Sequence, residues 1–453
     1  MRCEWVFFVM GGCFVGVRCE WMFFVMGGCF EGVHCEWVFF VIGGVMGTLA
    51  LLGGEAVRRE AFPEWPFYQS DEEAEAVVGA LRSDHLCGAH GGEQIPALEV
   101  EFAAWCGAVG AVAVNSGSSS LQVALAAVGV GPGDEVVVPA YTYFSSATSV
   151  LNLGAIPVFA DIERGTGNID PGCLREQITG RTKAVMVVHA NGVPVDMDAV
   201  MAIAEAHGIA VVEDCSHSHG AVYKGKRVGT IGDVGGFSIQ HKKILSVGEG
   251  GIVVSRDAEV VERARSYANL GRGENSGILG PNLRMGEMHG ALARVRLRRV
   301  DAENDRRRSN AQVLREAIAD LPGVRAVPDG RVEGVGETYY NFTLDYDAET
   351  LGISREKFVK AVQAEGIPLK VNGYRSLTLA AVFVNQDVWP YKLAENQPIL
   401  KNRTLYGEGV CPVTEAFTQE GNLELKIHPP CGEGEMHDAA EAMRKVITQV
   451  GSL

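Results

Sequence analysis

Short apolar runs alternate with amphipathic stretches from residue 111 onward. A run of four to seven apolar residues bounded by polar or glycine positions is typical of a buried strand, and a 3.6-residue period is typical of a helix. The pattern therefore predicts strands at residues 111–114, 135–139, 155–161, 183–189 and 210–214. It predicts helices at residues 118–128, 143–152 and 196–207. Strands that alternate with helices indicate an α/β fold with a mostly parallel sheet covered on both faces.

The pattern changes at the end of this region. Residues 288–321 are highly charged and keep helical spacing, so we expect one long helix there. After Pro322 the chain mixes short strands and helices, which indicates a smaller C-terminal α+β domain. The expected organisation has four parts: a hydrophobic extension (1–45), an N-terminal segment (46–95), a large ligand-binding domain (96–321) and a small C-terminal domain (322–453).

The first 45 residues repeat a 16-residue unit, which begins as RCEWVFFVMGG. We interpret them as a non-native or mis-started extension, with the working protein beginning near Met46. A membrane-associating segment is the alternative, because residues 37–54 carry no charge and are barely long enough to span a bilayer. Glycines and charged residues interrupt the apolar runs, however, and no basic start or cleavage site indicates a signal peptide.

Composition narrows the possible partners. The chain has 453 residues, is 47% apolar and carries a formal charge of −16, without a basic block that could follow a phosphate backbone. Nucleic acid is therefore not an expected partner, and membrane binding is not expected either. The 11 cysteines show no C-x-x-C spacing, so we expect neither a metal site nor a disulfide framework, and a cytoplasmic location.

Three strand ends carry candidate chemistry. Asp214 ends a hydrophobic strand, and Lys243 follows the apolar run GGFSIQ and precedes GEGG. The segment VNSGSSSLQVAL reads as strand, Gly/Ser turn and helix, and the N-terminus of a helix binds phosphate readily. A helix cap, a solvated turn or a surface lysine would explain each feature alone. Together, a strand-end carboxylate, a lysine on a turn and a phosphate cradle are what pyridoxal 5'-phosphate requires.

Each residue type suits that cofactor. A lysine amine forms a Schiff base with the cofactor aldehyde and then moves a proton between substrate and cofactor. A carboxylate beside the pyridine nitrogen keeps this nitrogen protonated, and the protonated ring stabilises negative charge at the reacting carbon. Tyr143, in PAYTYFSSAT, follows a strand where its ring could hold the cofactor ring in place; an ordinary core tyrosine is the alternative.

From about residue 49 to residue 450 the chain resembles the sugar aminotransferases of the DegT/DnrJ/EryC1/StrS family, which are pyridoxal-phosphate enzymes of fold type I. The motifs that carry this resemblance are VGPGDEVVVPAYTY, VVEDCSHSHGAVYKGKRVGTIGDVGGFSIQHKK, GEGGIVVS and GPNLRMGEMHGALARVRLRRVD. The family has a serine five positions before its lysine. This serine matches Ser238, so the resemblance implies that Lys243 rather than Lys242 is the cofactor lysine.

The resemblance implies further cofactor contacts. Ser118 and Ser119, in SGSS, match the phosphate turn of the family, and His217 takes the position near the phenolic oxygen of the cofactor. The family asparagine that reaches the phosphate of the neighbouring subunit matches Asn282, which implies a homodimer. Arg284 could approach a substrate carboxylate or form a structural salt bridge, and Tyr374 lies in KVNGYRSL, a segment expected to choose the substrate.

The implied activity is transfer of an amino group from L-glutamine or L-glutamate to a keto-sugar or keto-cyclitol, in the biosynthesis of an amino sugar, an antibiotic or a surface polysaccharide. One alternative is a dehydratase or an aminohydroxybenzoate-synthase-like lyase on the same fold. Family dehydratases have histidine at the lysine position, whereas this chain has Lys243. A non-catalytic regulatory protein that binds the cofactor is the other alternative, and turnover by purified protein would exclude it.

Overall fold

A computed structural model describes residues 6–14, 17–25, 40–42, 47–65, 70–273, 278–328, 334–402 and 404–453. The chain divides into two compact units, Met1–Ala56 and Val57–Leu453. The smaller unit contains three antiparallel strands that pair in chain order: Val6–Phe14, Val17–Val25 and Phe40–Ile42. Among the described residues, no helix combines the length and the apolar character needed to cross a membrane. The origin of residues 1–45 and the boundaries at 95 and 321 stay predictions.

The larger unit is built around a seven-stranded sheet. Its strands lie side by side in the order Gly110–Val114, Gly251–Ser255, Val234–Ser238, Ala210–Asp214, Thr182–Val188, Glu135–Pro139 and Ile156–Ala160. Gly251–Ser255 runs antiparallel to both neighbours, and every other adjacent pair is parallel. The five predicted strands are confirmed to within a residue at each end, and so is the α/β fold.

The three predicted helices are also confirmed, as Gly117–Ala127, Phe144–Asn152 and Met197–His207. Local capping explains two of the starts. The Ser116 hydroxyl accepts a hydrogen bond from Ser119 N (3.1 Å), and the Asp196 carboxylate accepts one from Ala199 N (3.3 Å). Each bond satisfies a backbone donor that the first helical turn leaves without a partner.

The predicted single helix at residues 288–321 is wrong, because the structure has two helices, Glu287–Leu297 and Val300–Ala317. At the break, Arg299 N donates to Arg296 O (3.0 Å), a three-residue step that tightens the chain. The side chains of Arg296 and Arg299 both bind Glu73, on the helix Asp71–Arg82. Arginine has a high helix propensity, so the local sequence gives no sign of this turn. The turn is accompanied by the two ion pairs that Glu73 forms with Arg296 and Arg299.

The C-terminal region contains a four-stranded antiparallel sheet in the order Val324–Val327, Phe342–Tyr346, Leu423–Leu425 and Lys370–Val371. Three short antiparallel strands form a further sheet: Lys226–Arg227, Val222–Tyr223 and Val335–Gly336. Together with the helices of this region, the four-stranded sheet agrees with the predicted α+β character.

The remaining α-helices of the described residues are Gln94–Cys106, Pro171–Gln177, Ala258–Ala268, Ala348–Leu351, Arg355–Ala364, Ala381–Val384, Trp389–Lys392, Gln397–Asn402, Pro412–Glu420 and Glu433–Thr448. Short 3₁₀ turns lie at Ala50–Leu52, Gly88–His90, Ala190–Gly192, Leu377–Leu379, Ala394–Asn396 and Val450–Ser452.

Glu213, in the central strand Ala210–Asp214, is fully buried and binds a loop of the chain. Its carboxylate accepts hydrogen bonds from the backbone N–H groups of Gly229, Ile231 and Gly232, each at 2.7 Å. It also lies 3.0 Å from Nε2 of buried His189. Because Val195 N donates to Nδ1 of this histidine, the ring proton is on Nε2 and points at Glu213.

His189, Glu213 and Cys215 place possible metal-ligand atoms within 4.8 Å of one another. The four hydrogen bonds to Glu213 occupy the lone-pair positions of both carboxylate oxygens. Both ring nitrogens of His189 are engaged as well. The cluster is therefore a hydrogen-bonded clamp on the loop 229–232.

We predict that Glu213→Gln lowers the free energy of unfolding by about 2–4 kcal/mol, because the new amide N–H₂ faces buried N–H donors and leaves them without an acceptor. Urea unfolding followed by circular dichroism measures the loss. Glu205→Gln, on the exposed face of the helix Met197–His207, is the matched control and should be neutral. A loss at position 213 no larger than that of the control would contradict the clamp.

Candidate active site

A cavity of about 320 Å³ lies where the chain leaves the carboxyl ends of the strands Ala210–Asp214 and Val234–Ser238. Seven residues predicted from the sequence line it: Ser118, Tyr143, Asp214, His217, Ser238, Lys243 and Tyr374. Parallel strands place their carboxyl ends at one edge, which explains how positions distant in sequence meet here.

Two hydrogen bonds orient the Asp214 carboxylate, which is only 4% exposed. Ser146, on the helix Phe144–Asn152, donates its hydroxyl to Oδ2 (2.8 Å), and Ser216 N donates to Oδ1 (3.0 Å). Asp214 is also held by strand register, since its Cα pairs with those of Val188 and Gly236. One oxygen is thus fixed by the turn after the strand and the other by a neighbouring helix.

The adjacent lysines 242 and 243 differ in environment. Lys242 is exposed, whereas Lys243 is partly buried, and burial lowers the pKa of its amine to about 8. The charge of Asp214 acts in the opposite direction and offsets part of that decrease. Backbone bonds within the loop hold this arrangement, with Lys243 N donating to Gln240 O (2.8 Å). At neutral to mildly alkaline pH the Lys243 amine is therefore poised to lose its proton.

The predicted phosphate turn packs against the strand that leads to the lysine. A Cβ atom added at Gly117 would lie 2.3 Å from Cβ of Ser238, so only glycine allows this approach. Ser118 and Ser238 line the cavity. Ser119 does not, because its hydroxyl donates to Asn115 Oδ1 (2.7 Å) and its N–H donates to the Ser116 hydroxyl.

His217 lies in an aromatic stack. Its ring is 4.1 Å from that of Tyr340 at an interplanar angle of 12°, and its Nε2 lies 3.3 Å from the hydroxyl of Tyr374. Burial lowers the pKa of His217 well below its usual value, and the charge of Lys243 acts in the same direction. His217 is therefore neutral at physiological pH and can make hydrogen bonds without adding charge to the cavity. Tyr143 lies at the cavity mouth, and the residue is 56% exposed.

Tyr340 was not predicted from the sequence as a site residue, although it contacts several of the side chains that line the cavity. The Lys243 amine lies 4.7 Å from its ring centroid, and the Lys426 amine lies 3.9 Å from it. The Tyr340 carbonyl accepts from Lys426 Nζ (2.9 Å) and His428 Nε2 (3.0 Å). The buried Arg307 side chain donates to Nδ1 of that histidine, so the ring proton is on Nε2.

Lys426 was missed as well. Burial lowers the pKa of its amine to about 7, and nearby Glu424 acts in the opposite direction. The only sequence signal was the alternation in LELKIHP, where Glu424 and Lys426 interrupt an apolar strand. For Tyr340, the pair of tyrosines in ETYYNF gave no comparable signal.

Besides Ser119, two further predicted residues lie outside this cavity. Asn282 pairs with Asn269 through a backbone bridge, and its side chain accepts from Arg284 N (3.3 Å). The Arg284 guanidinium donates to Asn269 Oδ1 (2.6 Å) and lines a separate cavity of about 180 Å³. Within one chain, therefore, neither residue joins the group around Lys243.

Comparison with known proteins identifies the family to which the chain is related. Residues 68–444 match the DegT/DnrJ/EryC1/StrS aminotransferase family. An L-glutamine:2-deoxy-scyllo-inosose aminotransferase of Streptomyces paromomycinus is 37% identical over 424 residues, which cover 88% of this chain and 97% of the relative.

Solved structures agree. S. venezuelae DesV, crystallised with a ketimine intermediate, has a TM-score of 0.73 and 32% identity, covering 83% of this chain and 94% of its own. A 3-amino-5-hydroxybenzoic acid synthase has a TM-score of 0.74 and 30% identity, covering 87% of this chain and 100% of its own. These similarities confirm the predicted fold of type I aminotransferases. The chain belongs to the DegT/DnrJ/EryC1/StrS aminotransferase family.

Proposed function

We propose that this aminotransferase moves the amino group of L-glutamine to a keto-cyclitol of the scyllo-inosose class, with pyridoxal 5'-phosphate held at Lys243. The observation that carries the proposal is the shared cavity in which the Lys243 amine, its pKa lowered by burial, meets Asp214 and an open Gly/Ser turn. The choice of substrates rests on the Streptomyces paromomycinus relative, whose name gives both. Its product class would be an aminocyclitol, as found in antibiotics.

The residues fit the cofactor. The turn at Gly117 approaches Ser238 so closely that no side chain fits between them, leaving backbone N–H groups and two serine hydroxyls to receive a phosphate. Ser118 and Ser238 are the proposed hydroxyl contacts, and Ser119 would contribute through the shape of the turn. Tyr143 and His217 would lie against the ring and its phenolic oxygen. When bound, the cofactor supplies an aldehyde and an electron-withdrawing ring.

The residues of the chain supply the remaining steps. Above pH 8 the Lys243 amine is mostly neutral, so it would hold the cofactor through its aldehyde and would be able to take a proton from the reacting substrate carbon. The Asp214 carboxylate, held by Ser146 and Ser216, would keep a ring nitrogen protonated by its negative charge. A neutral His217 would orient the phenolic oxygen of the cofactor without competing for the proton on the ring nitrogen.

We also propose a cytoplasmic homodimer. The six cysteines whose side chains the structure describes are free thiols, as expected in a reducing compartment. Asn282 lies outside the cavity of its own chain, which is the placement required of a residue that serves the phosphate of a neighbouring subunit. Arg284 is engaged by Asn269, so we assign it the structural role.

The proposed function predicts amino transfer from L-glutamine to 2-deoxy-scyllo-inosose by the purified protein reconstituted with pyridoxal 5'-phosphate. Mass spectrometry of the aminocyclitol measures it, and nucleotide-linked keto-sugars test the alternative acceptor. Borohydride reduction and peptide mapping should place the pyridoxyl group on Lys243. Label on Lys242, or formation of dehydrated product without amino transfer, would contradict the proposal.

For Asp214→Asn we expect cofactor to remain bound while kcat falls by about 100-fold or more, since an amide carries no charge to hold a ring nitrogen protonated. Steady-state kinetics with cofactor content measured in the same samples separates the two effects. Asp305→Asn, on the exposed face of the helix Val300–Ala317, is the control and should behave as the unmodified protein. A near-normal kcat for the position 214 variant would refute the role.

The shared-site dimer predicts complementation. Inactive Lys243→Ala and Asn282→Ala chains should regain partial activity when mixed and refolded, because one site of the heterodimer then carries both defects and the other carries neither. A mixture of Lys243→Ala with Asp214→Asn is the matched control and should stay inactive, since both groups belong to the same chain. Proven subunit exchange without recovery in the first mixture would place Asn282 in its own subunit.

A further inference from the structure

A second cavity, of about 730 Å³, adjoins the first. The two share five lining residues: Thr142, Tyr143, Lys242, Tyr340 and Tyr374. The rest of its wall comes mainly from residues 370–380 and from Glu424 and Lys426. The segment KVNGYRSL, which the sequence analysis expected to choose the substrate, therefore lines the second cavity. Of its residues, Tyr374 also lines the first cavity.

The charges of this second cavity are unbalanced. Four basic side chains line it, those of Lys242, Lys370, Arg375 and Lys426, against the single carboxylate of Glu424. The imbalance is local, because the chain as a whole carries a formal charge of −16. A cavity that concentrates positive charge in an acidic protein favours an anionic ligand.

Strand geometry explains how these charges come together. Lys370 and Glu424 are direct partners across two antiparallel strands. Lys426 lies two residues after Glu424, so both side chains point to the same face, while Leu423 and Leu425 point into the core. Burial raises the pKa of Glu424, and the charges of Lys426, Lys370 and Lys242 act against that increase. Within this group, one carboxylate is shared among three lysines.

The second cavity begins beside the reacting amine. Lys426 Nζ and Lys243 Nζ lie 3.9 Å and 4.7 Å from the centroid of one ring, that of Tyr340. The two amines therefore lie against the same aromatic ring, which lines both cavities. Lys426 is also partly buried, so a carboxylate beside it would be screened from water and held more strongly than at the surface.

The two substrates of the proposed function differ in charge. An amino-acid donor carries a carboxylate on the carbon that reacts, whereas a keto-cyclitol has only hydroxyl and carbonyl groups. Both must bring their reacting carbon to the same place near Lys243, so a site for the donor carboxylate has to lie beside that place. An uncharged acceptor would gain little from the same cations.

We propose that the second cavity binds the carboxylate of the amino donor, with Lys426, which lies against the same Tyr340 ring as Lys243, as the main basic group and Lys370 and Arg375 reinforcing it. This inference rests on the proposed function, because it assigns one substrate group to a part of the same site. It makes these three residues determinants of donor binding and leaves cofactor attachment to the first cavity.

The test compares two inhibitors of the same shape, glutaramate and its uncharged isostere pentanediamide, each measured against L-glutamine and by calorimetry with the cofactor-loaded protein. The unmodified protein should prefer glutaramate by about 10- to 100-fold, the range expected when a charge-assisted hydrogen bond is lost. In Lys426→Met and in Arg375→Gln that preference should fall several-fold. Lys360→Gln, an exposed residue of the helix Arg355–Ala364, should keep it.

The variants also separate donor from acceptor. KM for glutamine should rise in Lys426→Met and Arg375→Gln, while the kcat/KM of the keto-cyclitol stays within about twofold. Because Arg375 is exposed, its variant remains informative even if the Lys426 variant folds poorly. An unchanged preference in both variants, or an equal loss for donor and acceptor, would overturn the carboxylate site. If the protein prefers glutaramate but transfers no amino group, the proposed function fails while the anion site stands.

Discussion

The buried carboxylate of Glu213 is the constraint on which the site depends. It joins the central strand Ala210–Asp214 to the backbone of residues 229–232, just before the strand Val234–Ser238 begins. Asp214 follows Glu213 directly, and the loop with Lys243 follows the second strand. A displacement of this clamp would therefore move the carboxylate and the amine of the site relative to each other. Such a displacement would also be unfavourable, since each buried N–H group left without an acceptor costs about 1–3 kcal/mol.

Burial adjusts the chemistry of the groups that the clamp positions. It lowers the pKa of the two amines nearest Tyr340 to about 8 for Lys243 and about 7 for Lys426, and it keeps His217 neutral. Both lysines can thus change protonation near physiological pH, which a solvent-exposed lysine cannot do. The stacked arrangement of His217 and Tyr340 connects these groups without adding a charge.

In the proposed function, the first of the two adjoining cavities holds the cofactor and the second binds the amino donor. The first is built from strand ends and a helix N-terminus of the seven-stranded sheet, which are rigid elements suited to holding a cofactor. The second takes much of its wall from residues 370–380 and from the edge of the four-stranded sheet. Changes in this wall can alter donor or acceptor preference while the groups around Lys243 stay in place. This division suits a family whose members act on different keto substrates.

The sequence alone determined the α/β fold and the strand ends, because apolar runs specify buried strands through a local signal. The prediction of Lys243 as the cofactor lysine came from the resemblance to the family, whose serine five positions before the lysine matches Ser238. Tertiary structure decided what local signals do not contain. It brought Tyr340 and Lys426 to the site from the C-terminal region and accompanied the helix break at Arg299 with the ion pairs of Glu73. These features arise from contacts between residues far apart in the chain, and no local propensity or spacing encodes which distant side chain will be the partner.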